Sequence, residues 1–392
     1  MSILPQELLD AILDRVNDED ALKQCSLAAK SLLIPSQRVL FRSLYLYTSD
    51  NTTWQHPSST CEHAQALFVT SPHLAKYIRT LTLCLVRNPT EDFAQAEYVL
   101  AKAVLVSRLA IHGSVDNFRW DSMSPAFISA LLEAVQRPTV QCFHLKRIIG
   151  VPSSLMFYAA STFRVFSVER IEILQADEDS VLLRQPPPNR LEELLLPAAF
   201  RSEAACTFLL DLNARGALQH LRRVAWRIYG HANPHWESWL HQARLLPSLS
   251  RVELWFTLQF PRIDLPAFPH MRTLELKCRM DSAALPASIQ GIIARLPATA
   301  PRLCVLVLSL RVAGRRNGLH RWSSDVAPLA PFGSADYARQ LPALCRVHCC
   351  LKDSARELHQ GFAPYMACKF PGAQAEGALL CETFEVAEGA RP

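Results

Sequence analysis

One phrase, apolar-x-x-apolar-x-apolar, returns eleven times along this chain, and the distance between its copies constrains the fold more than any composition figure does. It appears as FRSLYL at 41, IRTLTL at 78, VSRLAI at 106, VQCFHL at 140 and FRVFSV at 163. It continues as LEELLL at 191, LRRVAW at 221, LSRVEL at 249, MRTLEL at 271, LCVLVL at 303 and LCRVHC at 344. Because 49% of the residues are apolar, one match means little. The spacing means more: successive starts differ by 37, 28, 34, 23, 28, 30, 28, 22, 32 and 41 residues. Helix-like segments with start signals fall between the copies. Ser124 and Pro125 open SPAFISALLEAV, Ser202 opens and Gly216 closes SEAACTFLLDLNARG, and HWESWLHQARLLP and SIQGIIARLP behave alike. A strand, a helix and a return at this period form one unit that buries its apolar side only against the next copy.

The Leu-x-x-Leu-x-Leu core of these copies resembles a leucine-rich repeat. The Asn or Cys that usually follows is replaced by Val86, Ala199, Tyr229, Thr257, Arg279 and Arg311. The resemblance therefore implies an α/β chain whose residues 46–350 form an irregular, degenerate β-α solenoid without the buried Asn ladder. RQPPPNR at 184–190 reads as a loop between repeats. Residues 351–392 read as a C-terminal cap, with a helix in KDSARELHQGFAPYMA and a closing strand in GALLCETFEV.

Residues 1–45 have another character. In LPQELLDAILDRV, Pro5 suits the first position of a helix, where its missing N–H needs no partner. Leu8, Leu9, Ile12, Leu13 and Val16 fall on one wide apolar face. NDED at 17–20 ends that helix and supplies a cap for a second over about 20–33. Pro35 is placed to start a third. The pattern Leu4-Pro5-x-Glu7, Leu22-x-x-Cys25-Ser26-Leu27-x-x-Lys30 and Leu40-Phe41-Arg42-Ser43-Leu44 resembles an F-box of the form common in fungal families. Ala29 stands where that family often has Cys, and Leu32-Leu33 where it often has an aromatic residue. The resemblance covers residues 4–44 and implies a three-helix module that docks the Skp-family adaptor of a cullin–RING ubiquitin ligase. Leu4, Pro5, Leu8, Ile12 and Leu13 would be its anchors.

The remaining chemistry points to recognition rather than catalysis. No G-x-S-x-G, H-E-x-x-H, phosphate loop or dinucleotide fingerprint occurs, and no catalytic residue or cofactor is expected. A formal charge of +5 spread over scattered Lys and Arg gives no nucleic-acid footprint. CRVHCC gathers Cys345, His348, Cys349 and Cys350, but strand alternation sends neighbours to opposite faces, so no metal site is expected there. HPSSTCEH at 56–63 reads as polar loop. The alternate positions of the strands at 221, 249 and 271 should share the outer face. They hold Arg223, Ala225, Arg227, Arg251, Glu253, Trp255, Thr273, Glu275 and Lys277. The charged residues and Trp255 form a candidate client-binding patch, because Trp and Arg dominate binding hot spots; the alternative is that these charges pair among themselves.

Residues 1–20 lack the basic and apolar regions of a secretory signal, and no apolar run approaches bilayer length. Twelve cysteines without paired spacing then suggest reduced thiols and a cytoplasmic or nuclear location. The expected function is client recruitment to a Skp–cullin–RING ligase by an unidentified client's contact with the repeats. The rivals are a repeat scaffold without a ubiquitin role and an enzyme whose site is too dispersed to see.

Overall fold

This computed structural model describes residues 4–48, 59–86, 93–113, 118–174, 190–196, 203–228, 241–256, 265–280, 284–312, 322, 327–333, 337–353 and 356–385. The protein is mixed α/β, with extensive parallel sheet, and divides into two compact units, residues 1–188 and 189–392.

The first unit opens with three helices, α1 (Gln6–Leu13), α2 (Glu19–Ala28) and α3 (Lys30–Leu40). Strands β1 (Ser43–Tyr47), β2 (Ser59–Thr60), β3 (Thr80–Leu85), β4 (Arg108–Gly113), β6 (Cys142–Lys146) and β8 (Val165–Glu169) follow. They form a parallel sheet in the order β8-β6-β4-β3-β1-β2. Short strands β5 (Phe118–Arg119), β7 (Ile148–Pro152) and β9 (Glu172–Leu174) pair in a second parallel sheet. Crossovers include helices Cys61–Thr70, Ala94–Lys102, Pro125–Val135 and Ser153–Thr162, because parallel neighbours need a long return. Ser124 caps its helix as expected, its side chain accepting from the Phe127 N–H at 3.1 Å.

The second unit holds seven parallel strands in chain order: β10 (Glu193–Leu196), β11 (Arg223–Ile228), β12 (Arg251–Phe256), β13 (Thr273–Met280), β14 (Val305–Val312), β15 (Arg346–Asp353) and β16 (Leu379–Glu385). Helix Arg356–Lys369 precedes β16 and buries Phe362, Tyr365 and Met366. Trp322 donates from its indole N–H to the Leu358 carbonyl at 2.8 Å and stacks on Tyr365.

Every one of the eleven phrases is a strand, and each strand begins two residues after the phrase does. The first apolar residue precedes the strand and is buried in every phrase but the first, as Ile78, Phe163, Leu191, Leu221 and Met271 are, while Phe41 is half-buried. The next two apolar positions point into the core, so β3 and β4 alternate between half-exposed and buried residues. In-register rows such as Leu44, Leu81, Leu109, Phe143 and Phe166 result. A backbone motif marks the steps within each unit. The carbonyl of phrase position two accepts from the N–H groups of positions two and three of the next copy. The Arg42 carbonyl takes Arg79 and Thr80 at 2.9 and 3.0 Å, and the Arg222 carbonyl takes Ser250 and Arg251 at 3.0 and 2.9 Å. Both lone pairs of that oxygen are thus used, and the polar backbone at each strand entry is satisfied.

Several sequence expectations need correction. Pro5 is the residue before α1, not its first helical residue, with φ −54° and ψ 145°. The helix expected over 20–33 breaks at Ala29, whose backbone is extended, and Pro35 lies inside α3 rather than at its start. A proline there cannot donate to the Ser31 carbonyl. The Gln6 side chain reaches from α1 and donates to that oxygen at 3.2 Å, which compensates the break and fastens α1 to α3. β13 and β14 run on through Arg279 and Arg311, which are exposed, so at those two places there is no turn for an Asn to fill. Ala199, Tyr229, Thr257, Ser202 and residues 184–189 lie outside the described residues.

Gly113 ends β4 where the chain passes close to Arg147 and Phe118. A Cβ there would stand 2.1 Å from the Arg147 carbonyl oxygen and 2.6 Å from Phe118 Cβ. Gly113→Ala is expected to destabilise the chain by about 3 kcal/mol, the upper range for overpacking against backbone that cannot turn aside. Chemical denaturation of the variant measures it, and an unchanged midpoint would refute the close approach.

Candidate functional site

Two surfaces carry the residues singled out from sequence. The first is the outer side of the opening helices. Asp18 caps α2 by accepting from the Asp20 and Ala21 N–H groups at 2.9 and 3.3 Å. Asp10 pairs with Arg38 at 3.4 Å, and Asp14 with Arg42 at 3.7 Å, so α1 is oriented against α3 and the entry to β1. Only Leu13, Leu22, Pro35 and Ser36 are buried in the three helices. Leu4, Leu8 and Ile12 are exposed at 52, 51 and 54%, and Pro5 beside them is exposed too. Leu13, named as an anchor, is only 4% exposed: its position on α1 points it inward, where it holds the helix down. Leu27, Leu33 and Ile34 are exposed as well, Leu27 at 81%. The break at Ala29 places Leu33, beside Ile34, on α3 rather than on the single helix expected over about 20–33.

The second surface is the outer face of β10–β13 in the second unit. Register aligns Glu193 with Arg223, then Arg251 with Thr273, Glu253 with Glu275, and Arg227 with Trp255 and Lys277. An alternating chain of ion pairs runs across it. Glu193 meets Arg223 at 2.8 Å, Arg223 meets Glu253 at 2.7 Å, and Glu253 accepts from Lys277. Lys277 also meets Glu275 at 3.2 Å, and Glu275 meets Arg251 at 2.7 Å. Three acids and three cations balance within this chain of pairs, and Arg227 stands outside it. Trp255 donates its indole N–H to Glu253, and the Lys277 ammonium sits 4.5 Å from the Trp255 ring centre.

Glu253 and Glu275 are therefore not contact residues. Both are buried, Glu253 completely, because the long side chains of neighbouring strands reach over them. Burial alone would push the Glu253 carboxyl up; the Lys277 and Arg223 bonds outweigh it and hold the group below the ordinary carboxylate value. Arg223, Arg251, Trp255 and Lys277 remain half-buried and reach solvent, and Ala225 is buried. The side chain of Arg227 lies outside what the structure describes. Glu193, which sequence reading missed, sits one strand before the named patch and was signalled only by its place in LEELLL.

The first unit's sheet carries a different group on the corresponding strand positions. Tyr45, His112 and His144 form an edge-to-face file, with ring centres 6.1 and 5.1 Å apart. The Nε2 atoms of both histidines are buried without a hydrogen-bond partner. Burial lowers His112 to about 3, reinforced by His144, Lys146 and Arg147. Burial also lowers His144 to about 4, against the pull of Glu169. Both stay neutral where the unfolded chain is already protonated. Stability should then fall as pH drops from about 6.5 towards 4, by up to about 1.4 kcal/mol per pH unit for each histidine. Denaturation midpoints at pH 7 and pH 5 should differ much less in a His112→Gln/His144→Gln chain than in the native one; equal slopes would refute the linkage.

CRVHCC divides by strand parity. Cys345 is exposed ahead of β15, Cys349 is buried in the core beside Cys381, and His348 and Cys350 share the outer face. Glu382, directly opposite Cys350 on β16, joins them: His348 Nε2 lies 3.0 Å from its Oε2, and Cys350 Sγ lies 3.2 Å from the same His348 nitrogen. Cys345, Cys349, Cys350 and Cys381 are free thiols. In HPSSTCEH, residues 56–58 lie outside the described part, while Cys61 and His63 begin a helix capped by Thr60. Among the described residues no helix is long and apolar enough to cross a membrane.

No protein-family model matches the chain, and no curated protein matches it either.

Proposed function

We propose that this chain recruits a client protein to a Skp–cullin–RING ubiquitin ligase, with its opening helices docking the Skp-family adaptor and its repeats reading the client. The observation that carries the reading is the concentration of uncovered apolar side chains at the front of the chain. Six of the fourteen large apolar residues exposed among the described ones fall between Leu4 and Ile34. Helices that serve only their own core turn such residues inward. A face of this kind suits a partner's groove, where a few apolar anchors supply most of the affinity. Leu4, Pro5, Leu8 and Ile12 are the anchors, joined by Leu27, Leu33 and Ile34; Leu13 supports them from below.

The strands paired in register within each unit, with helices among their crossovers, support reading residues 46–350 as a degenerate leucine-rich-repeat solenoid. On that reading the client meets Arg223, Arg251, Trp255 and Lys277, with Arg227 in register beside them, and Glu253 and Glu275 brace these groups from beneath. The chain contributes no catalytic residue and takes no cofactor, and neither nucleic acid nor membrane is a partner. It works in the cytoplasm or nucleus, where that ligase resides.

The test is reconstitution. The full chain, a purified Skp-family adaptor and a cullin–RING pair are mixed and separated by gel filtration. Co-elution of all components is the expected result. Elution of the chain apart from the adaptor would overturn the reading and leave a repeat scaffold with a helical cap.

A further inference from the structure

We infer that His348, Cys350 and Glu382 form a binding site for a zinc-class divalent cation. The strand geometry makes the site. His348 and Cys350 are two residues apart on β15 and so point to the same face, while Cys350 and Glu382 are register partners on adjacent strands. One ligand atom from each of the three lies within 4.8 Å of the others, with His348 Nε2 3.0 Å from Glu382 Oε2 and 3.2 Å from Cys350 Sγ. Zinc bonds of about 2.0–2.3 Å at tetrahedral angles place neighbouring ligand atoms about 3.3–3.7 Å apart. The cation therefore fits with small side-chain rotations and no backbone change.

The donor set suits that metal. One imidazole, one thiolate and one carboxylate are borderline to soft ligands, unlike the all-oxygen cages of calcium and magnesium. Thiolate and carboxylate together balance the charge of the dication. Binding converts the Cys350 thiol to thiolate and releases its proton to solvent, so affinity rises with pH. Cys350 is buried, whereas His348 and Glu382 are partly exposed, so the cation would enter from the solvent side. Three protein ligands leave the fourth position for water or a ligand from outside, the arrangement of open rather than purely structural zinc sites. Leu380 and Phe384, two residues either side of Glu382 on the same face of β16, are exposed and flank that opening.

Cobalt(II) titration of the untagged, metal-free full chain tests the inference. Cobalt in a tetrahedral site with one thiolate gives visible d–d bands and a near-ultraviolet sulfur-to-metal band, and zinc should displace it. One equivalent is expected. Cys350→Ser should abolish the near-ultraviolet band, and His348→Ala and Glu382→Gln should each weaken binding at least tenfold. A Cys345→Ser/Cys368→Ser chain, which lacks two exposed thiols, should bind as the native chain does. Circular dichroism checks folding; if Cys350→Ser does not fold, the partly exposed Glu382→Gln decides the matter. Absence of the cobalt spectrum in the native chain, or an unchanged spectrum and affinity in the folded variants, would overturn the site.

Discussion

Replacing Leu8 and Ile12 with aspartate is expected to weaken binding of the Skp-family adaptor at least 100-fold while leaving the melting temperature of the chain within about 2 °C of native. The two effects separate because both side chains are about half exposed in the chain itself. Fully burying a leucine or isoleucine contributes about 1.5–3 kcal/mol, and the exposed half of that is available to a partner. Putting a carboxylate in the same groove adds the cost of stripping water from an unpaired charge, several kcal/mol at each position. A loss of 100-fold corresponds to about 2.7 kcal/mol, so it is a lower bound. Aspartate's lower helix propensity costs a few tenths of a kcal/mol, too little to unfold α1 against α3. Leu13→Asp should behave in the opposite way. It buries a charge beneath the helix and should destabilise the module whether or not a partner is present.

Glu253→Ala is expected to lower the melting temperature of the second unit by about 6–12 °C. Breaking a buried pair from one side costs about 3–5 kcal/mol, because the surviving charges lose their partner without regaining water. Here the cost belongs at the low end. Arg223 keeps Glu193 and Lys277 keeps Glu275, while the Trp255 indole loses its acceptor. About 3 kcal/mol in a unit of this size shifts melting by about 2–4 °C per kcal/mol. Glu253→Gln, which retains an acceptor for Trp255, should fall between native and alanine. The sign of the pH effect follows from the carboxyl lying below its ordinary value. The stabilisation is fully present above the ordinary carboxylate range, and it is lost as pH falls through the lowered native value. Calorimetric melts at pH 7 and pH 3 should therefore separate native from alanine widely at the first pH and much less at the second. Identical melting at pH 7 would refute the role of Glu253 as the hub of the ion-pair chain.

The strands were legible in the sequence because their signal is local. Each phrase carries both the inward pair of apolar residues and the apolar residue in the turn before it, and each became a strand at the same offset. What escaped depends on how distant segments register. Parity correctly sent Glu253 to the outer face of β12, but its burial comes from Arg223, Trp255 and Lys277, on three different strands, lying over it. The pairing of His348 with Glu382 needs two strands 34 residues apart to align, with a helix between them. The break at Ala29 was hidden because Pro35 looked like a helix start. It sits mid-helix instead, since Gln6, far off in sequence, satisfies the carbonyl that the proline leaves free. β5, β7 and β9 carry no copy of the phrase and had no signal of their own.

The most direct test of the docking surface is calorimetric titration of a purified Skp-family adaptor into the native full chain. One-to-one binding with Kd below about 1 μM, equivalent to about −8 kcal/mol, is the predicted result. A negative heat-capacity change should accompany it, as burial of the face around Leu4, Leu8 and Ile12 requires. No heat of binding at several temperatures, with both proteins at tens of micromolar (about 10–100 μM), would contradict the account: an affinity in the range of helix-in-groove complexes would register there.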